Sequence, residues 1–222
     1  EISECLVGSE MCIRDSPIGI ASIDEILSRP FITDEQAKRV WGFEGKYVIV
    51  IGYNGSPAHN HIKVIKSLVF MKKQLPTNTI LVCPMTYGGN PVYRKKIKRL
   101  LWNSQFENQI LENYLTAEEL VCLRKATDLF IHAQNTDANS GTIAEYLLCR
   151  KKIVNPTWIT YPHYETYGSP FYSFSNFEEL PQAIMKAIND TSNKVSPLLT
   201  GNISESGWSK LACKWVELYK KY

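Results

Sequence analysis

From Lys46 onward the chain alternates between short runs that are apolar almost throughout and longer stretches whose apolar residues recur at helical spacing. KYVIVIGYN (46–54) is rich in β-branched and aromatic residues and stops at the turn residues Asn54, Gly55, Ser56 and Pro57, so it predicts a strand. HIKVIKSLVFMKKQL (61–75) then sets Ile62, Ile65, Leu68, Val69 and Leu75 on one helical face. TILVCPM (79–85) is a second strand, stopped by Pro84 and then Gly88 and Gly89. NPVYRKKIKRLLWNS (90–104) reads as a helix with Pro91 near its first position, where a missing N–H leaves no bond unmade. NQILENY (108–114) is a short strand, and LTAEELVCLRKA (115–126) is a helix that opens on the capping box Thr116 and Glu119. LFIHAQ (129–134), a helix from Ser140 and the strand KIVNP (152–156) complete the regular part. Beyond it the pattern gives a short strand at PFYSF (170–174), a helix from about Phe177 to Asn189 and a last one from about Glu205 to Lys221.

Strands that are apolar on both faces and alternate with helices pack as a parallel sheet covered on both sides. Right-handed crossovers then make an α/β, doubly wound, mostly parallel, Rossmann-like domain over residues 46–222. The segment 17–45 does not fit the alternation and is expected to be a linker or the tail of a missing N-terminal domain. In such sheets ligands bind outside the carboxyl ends of the strands. That rule selects four loops, Gly52 to His61, Pro84 to Pro91, Tyr114 to Ala117, and Gln134 to Thr142.

Composition changes this picture at one end. The first residue is Glu1 and not Met, so the chain is expected to be a piece of a longer protein. EISECLVGSEMCIRDS (1–16) lacks the positive end and apolar stretch of a secretory signal, and LVGSEMCIRD within it resembles the translation of a sequencing-library adaptor. Residues 1–16 are therefore expected to be non-native. They hold Glu1, Glu4, Glu10 and Asp15 against Arg14, so removing them takes the net charge from +3 to +6, mildly basic. Of the remaining cysteines, Cys83, Cys122, Cys149 and Cys213, three lie in apolar runs and none is paired by spacing, which fits reduced thiols in a cytoplasmic protein. No apolar run approaches the ~18 residues of a membrane span.

The loop after LFIHAQ carries the most chemistry. Ser140, Gly141 and Thr142 begin a helix whose first N–H groups have no partner within it, and with the helix dipole they form an anion site that Gly141 lets a phosphate approach. Glu145, about one turn in, can reach a sugar hydroxyl of the same ligand, and Asp137 can present a second carboxylate. The plainer alternative has Ser140 as an ordinary cap, Glu145 solvated and Asp137 closing a turn. In the first loop Gly52, Gly55, Ser56, Asn60 and His61 give a glycine turn with small donors at a helix start, without the three-glycine dinucleotide fingerprint. His59 and His61 lack the further ligands a metal would need. In the second loop Tyr87 can stack on a base or sugar, or cover the edge of the core. The helix YRKKIKRLLW is basic and amphipathic; such helices can lie on anionic membranes, and a helix covering a parallel sheet also has a solvated outer face. Its local charge without interleaved exposed aromatics does not suit nucleic acid.

Together these loops resemble the C-terminal, donor-binding domain of the two-Rossmann-domain (GT-B) glycosyltransferases, over about residues 46–222. Asp137 and Glu145 have the spacing at which the large family 4 of these enzymes places two glutamates on the sugar and the nucleotide ribose. Asp137 replaces the first of them, and His59, Asn60 and His61 stand where that family puts an Arg and a Lys for the diphosphate. The stretches VIVIGYNGSPAHNHIKVIKSL, ILVCPMTYGGNPVYRKKI and LRKATDLFIHAQNTDANSGTIAEYLL, running into NPTW, are similar to the 4-acetamidofucosyl transferases of enterobacterial common antigen. That likeness covers Ser56, Asn60, His61, Pro84, Met85, Tyr87, Gly141 and Thr142, and Glu145 is not part of it.

The resemblance implies a donor site of Gly55, Ser56, Asn60, His61, Met85, Tyr87, Asp137, Ser140, Gly141, Thr142 and Glu145, with no cofactor and no metal. It implies a UDP-, dTDP- or GDP-linked sugar, a glycan or lipid-linked acceptor, cell-envelope polysaccharide synthesis, and a cytoplasmic enzyme, peripheral at the inner face of the membrane where the acceptor is lipid-linked. Two other readings share the fold: a nucleotide-sugar epimerase of the UDP-N-acetylglucosamine type, which needs more carboxylates in the cleft, and a non-catalytic Rossmann-like module.

Overall fold

The computed structural model describes residues 19–137 and 140–221. The expectations for residues 1–16 lie outside them. Six strands, β1 (Tyr47–Ile51), β2 (Thr79–Pro84), β3 (Glu107–Leu111), β4 (Leu129–Ile131), β5 (Lys152–Pro156) and β6 (Phe171–Phe174), form one sheet in the order β3-β2-β1-β4-β5-β6. Every neighbouring pair is parallel, from Val48 beside Ile80 to Val154 beside Tyr172. This is the doubly wound order, in which connections leave β1 toward one edge and β4 toward the other, so a crevice opens where the winding reverses.

The ten helices of the described residues are α1 (Ala21–Leu27), α2 (Asp34–Trp41), α3 (His61–Phe70), α4 (Pro91–Ser104), α5 (Ala117–Ala126), α6 (Gly141–Leu148), α7 (Pro162–Glu165), α8 (Leu180–Asn189), α9 (Pro197–Ser204) and α10 (Trp208–Lys221). Successive strand residues point to opposite faces, so each strand feeds two cores. Ile49, Ile51, Leu81, Ile131 and Val154 meet Val64, Ile65 and Leu68 of α3, Ile97 and Leu101 of α4, and Ile184 of α8. Val48, Val50, Val82, Phe130 and Ile153 meet Leu123 of α5, Tyr146 and Leu147 of α6, and Leu199 of α9.

Local signals account for most boundaries. The Thr116–Glu119 capping box forms in both directions: the Thr116 hydroxyl accepts from the Glu119 N–H at 3.2 Å and the Glu119 carboxylate from the Thr116 N–H at 2.8 Å. The long helix expected to reach Leu75 ends at Phe70 and tightens into a single 3₁₀ turn at Lys72–Gln74. The last expected helix begins three residues late, at Trp208, and is preceded by α9, which Ser196 caps.

Residues 20–45 are docked on the domain. Ile23, Ala37 and Phe43 are fully or almost fully buried in the same core as Val48 and Phe130. Lys125 donates to the carbonyls of Arg29 and Ile32 at 2.8 Å each, holding the turn between α1 and α2. Thr33 opens α2 with a capping box of its own, closed by Gln36.

Candidate nucleotide-binding site

The loops after β1, β2 and β4 meet above the crevice, and glycine decides how closely. The Gly55 N–H donates to the Tyr87 carbonyl at 2.7 Å. A Cβ on Gly89 would lie 2.1 Å from the Gly55 carbonyl oxygen, and one on Gly55 2.7 Å from that of Gly88, so the two loops cross backbone on backbone. Gly89 also has φ +68°, which side chains other than hydrogen resist.

Asn60 joins the first loop to the one after β4. Its backbone is left-handed, with φ +53°, and its side-chain amide donates to the Ala133 carbonyl at 2.8 Å and to Asn135 Oδ1 at 2.7 Å. Ser56 is half-buried; its N–H is taken by Asn54 Oδ1 at 2.8 Å and its hydroxyl accepts from the Ala58 N–H at 3.3 Å. Gly55, Ser56 and Asn60 thus build the frame of the site.

His61 and Met85 have no exposed surface and lie beneath that frame. His61 Nδ1 meets the Tyr93 hydroxyl at 3.1 Å, and His59, equally buried, packs edge-on to Tyr53 with no hydrogen-bond partner at either ring nitrogen among the described residues. Burial pushes His59 down to about 3 and His61 down to about 4, so both rings are neutral near pH 7. The sequence reading places His61 facing a ligand; the structure turns it inward because its helix face, shared with Val64, Ile65 and Leu68, is the face that packs on the sheet.

Asp137 and Glu145 go to different surroundings. The Asp137 carboxylate accepts from the Tyr161 hydroxyl at 2.7 Å and lies 3.4 Å from His132 Nε2. Burial raises its pKa, and the contacts with His132 and Tyr161 outweigh that, so it titrates below the usual carboxylate range. Asn155 donates its amide to the Pro156 and Ile159 carbonyls, which leaves its oxygen, 2.8 Å from His132 Nδ1, to accept the proton on that nitrogen. Glu145 instead pairs with Arg124, Nε to Oε2 at 2.7 Å, and Arg124 also donates to the Tyr146 hydroxyl at 3.1 Å and lies over the Tyr146 ring.

Beside that pair is a cavity of about 250 Å³ lined by Tyr53, Thr86, Tyr87, Tyr114, Arg124, Thr142 and Glu145, among others. Thr142 and Glu145 bring the first turns of α6 to one wall. Tyr87 and Tyr114, from the loops after β2 and β3, stack at the mouth with ring centroids 6.2 Å apart and planes 8° from parallel. Ser140 caps α6 with its backbone only. Its hydroxyl lies by that of Tyr53, which donates to Gln134 at 2.9 Å. Ser140, Gly141 and Thr142 are all partly exposed, and among the described residues no acceptor takes the N–H of Gly141 or Thr142.

Of the residues singled out in the sequence, Tyr87, Thr142 and Glu145 line the cavity, with Ser140 and Gly141 at the adjoining helix start. Gly55, Ser56, Asn60 and Asp137 brace the loops, and His61 and Met85 are fully buried and do not line the cavity. Arg124 and Tyr53 are not among the residues singled out, and Tyr114 enters only as the first residue of the third loop. Arg124 carried a signal: of the two charged residues in the helix run LVCLRKA, it is the one three positions after buried Val121, on the face that packs inward. Among the described residues no group of three or more His, Cys, Asp or Glu is placed to hold a metal ion, and no helix is long and apolar enough to cross a membrane.

No protein-family model matches the sequence, and no curated protein matches it. Solved structures do. A glycosyltransferase from Rickettsia africae superposes over 99% of this chain and 61% of its own at 15% identity, with a TM-score of 0.66. Anabaena Alr3699/HepE, solved in complex with UDP-glucose, covers 85% of this chain and 52% of its own at 16% identity, also with a TM-score of 0.66. The C-terminal domain of a glycosyl transferase group 1 family protein (LpcC) from Francisella tularensis matches 82% of this chain and 93% of its own, at 12% identity and a TM-score of 0.59. The chain therefore spans little more than half the length of the first two. At these identities the likeness fixes the fold: an all-parallel, doubly wound α/β domain like that of the GT-B glycosyltransferases.

Proposed function

We propose that this chain is the donor-binding part of a glycosyltransferase, which holds a nucleotide-diphosphate sugar in the cavity beside α6. The observation that carries the reading is the meeting of two features in one 250 Å³ space: the start of α6 with Thr142 and Glu145, and the Tyr87–Tyr114 stack at its mouth. The N–H groups of Gly141 and Thr142, which no acceptor among the described residues takes, suit a pyrophosphate, the tyrosine pair suits the base or the sugar, and Glu145 Oε1, which Arg124 does not use, suits a ribose hydroxyl. The likeness to HepE, solved with UDP-glucose, supports the same reading.

In this reading the bond between the anomeric carbon and the phosphate oxygen breaks, and its electron pair stays on the diphosphate. Pre-oriented N–H groups at a helix start stabilise that growing charge more in the transition state than in the bound donor. The acceptor hydroxyl, of a glycan or a lipid-linked saccharide, attacks the same carbon. Its base comes from an N-terminal acceptor domain, on the cytoplasmic side of the envelope. This chain alone therefore binds the nucleotide and does not transfer sugar.

Calorimetry with UDP, dTDP and GDP tests this on the chain and on Tyr87→Ala, whose side chain is 46% exposed. Saturable binding of one nucleotide, weakened about tenfold or more by the substitution, is the expected result. No binding of any of the three supports a non-catalytic module instead, and turnover by the chain alone contradicts the placing of the base.

A further inference from the structure

Between Glu44 and Glu107 the chain contains no Asp or Glu, yet it carries ten Lys and Arg. The other segments together hold fifteen cations and twenty-two acids, a net −7, so the whole basic excess of the molecule is in residues 45–106. These residues form β1, α3, β2 and α4, and both helices pack on the same side of the sheet. The α3–α4 part of that side, which α8 shares, is thus a positive surface.

That surface is also apolar in particular places. The outer stripe of α4 runs from Val92 to the pair Lys95 and Lys96, then Arg99 and Trp102, all exposed and each step three or four residues, while Ile97 and Leu101 face the core. Trp102 is 84% exposed and Phe70, the last residue of α3, is 83% exposed. Both helices run against the direction of the strands, so their C-terminal ends lie at the same edge. Lys72 ties those ends together, donating to the Ser104 and Gln105 carbonyls at 3.2 and 2.7 Å. Lys98 pairs with Glu112 at 2.7 Å, whereas Lys66, Lys73, Lys95, Lys96 and Arg99 have no carboxylate partner among the described residues.

We infer that the α3–α4 side of the domain docks on an anionic lipid bilayer. Unpaired cations attract the headgroups, while Phe70 and Trp102 supply the amphipathic or apolar rings that settle at the headgroup level. A single-stranded nucleic acid would share the charge attraction and could stack bases on the same rings, so it is made an outcome of the test; the placing of both rings together at one end of the helix pair is what favours a headgroup layer. The cavity opens at the carboxyl ends of the strands, the opposite end of the domain, so docking leaves its mouth clear. The inference rests on surface chemistry and does not depend on the nucleotide reading.

Flotation of the chain with phosphatidylcholine vesicles, with and without phosphatidylglycerol, tests it. The parent is expected on the anionic vesicles only, with salt-sensitive partition. Lys95→Glu/Lys96→Glu/Arg99→Glu is expected to lose about a hundredfold in partition, and Phe70→Ala/Trp102→Ala about tenfold, with melting temperatures near the parent's because all five side chains are exposed. Equal partition to neutral vesicles, no partition to anionic ones, or a triple variant that floats like the parent overturns the inference. So does capture by a single-stranded oligonucleotide with none by vesicles. UDP titrations of the same variants separate this outcome from that of the nucleotide reading.

Discussion

Arg124 and Glu145 face each other at 2.7 Å with 5% and 8% of their side chains exposed, an ion pair that closes the inner wall of the cavity. Burial alone would lower the Arg124 pKa, and Tyr146 and Glu145 hold it above its ordinary value. Glu145 is therefore structural whatever ligand it meets. Glu145→Ala leaves a buried guanidinium without its counter-charge and is expected to cost about 3–5 kcal/mol in urea denaturation. Adding Arg124→Met should recover a large part of that loss. Unchanged stability in Glu145→Ala would mean that the pair does not form.

The crossing of the first two loops predicts a contrast between glycines. Gly45 has φ +66° with open space around it, whereas Gly89 has φ +68° with the Gly55 carbonyl 2.1 Å from its would-be Cβ. Gly45→Ala should cost only the backbone strain, about 1–2 kcal/mol. Gly89→Ala must also push two backbones apart, so it should cost clearly more in thermal unfolding and weaken nucleotide binding as well. Equal costs would contradict the crossing.

His59 and His61 give the fold a dependence on acid. Their folded values, about 3 and about 4, lie below the ordinary 6.5, so the unfolded chain takes up protons that the folded one refuses. Their contribution is complete above about pH 6.5 and is lost as pH falls toward those folded values. Between pH 6 and pH 4 the two together should remove up to about 2.7 kcal/mol of stability per pH unit. His59→Leu should reduce that slope by about half in denaturation series across this range. A slope unchanged by the substitution would mean that His59 can be protonated in place.

Ile23, Ile26 and Phe43 are buried against the sheet domain, so the helices before β1 belong to its core. A chain that begins at Lys46 is expected to be less stable than the full chain by at least about 2 kcal/mol, measured by urea denaturation. Equal stability would return residues 17–45 to the role of a linker.

What could be read in the sequence follows the range of the interactions involved. The strand–helix alternation, the Thr116 capping box and the parallel order rest on local patterns, and all three are present. The short strand at Phe171–Phe174 was legible for the same reason. The docking of α1 and α2 was not, because the partners of Ile23 and Phe43 lie far along the chain. His61 was misplaced because a histidine at a helix start looks like a donor until the packing face of the helix is known. Arg124 was passed over because its counter-charge is twenty-one residues away.

The most direct test of the nucleotide site is a UDP titration of the isotopically labelled chain followed by backbone amide shifts. The account predicts saturable shifts concentrated at Gly141, Thr142 and Tyr87, with little change at α9 and α10. No saturable shift with UDP, dTDP or GDP, or shifts confined to residues away from the cavity, would contradict it.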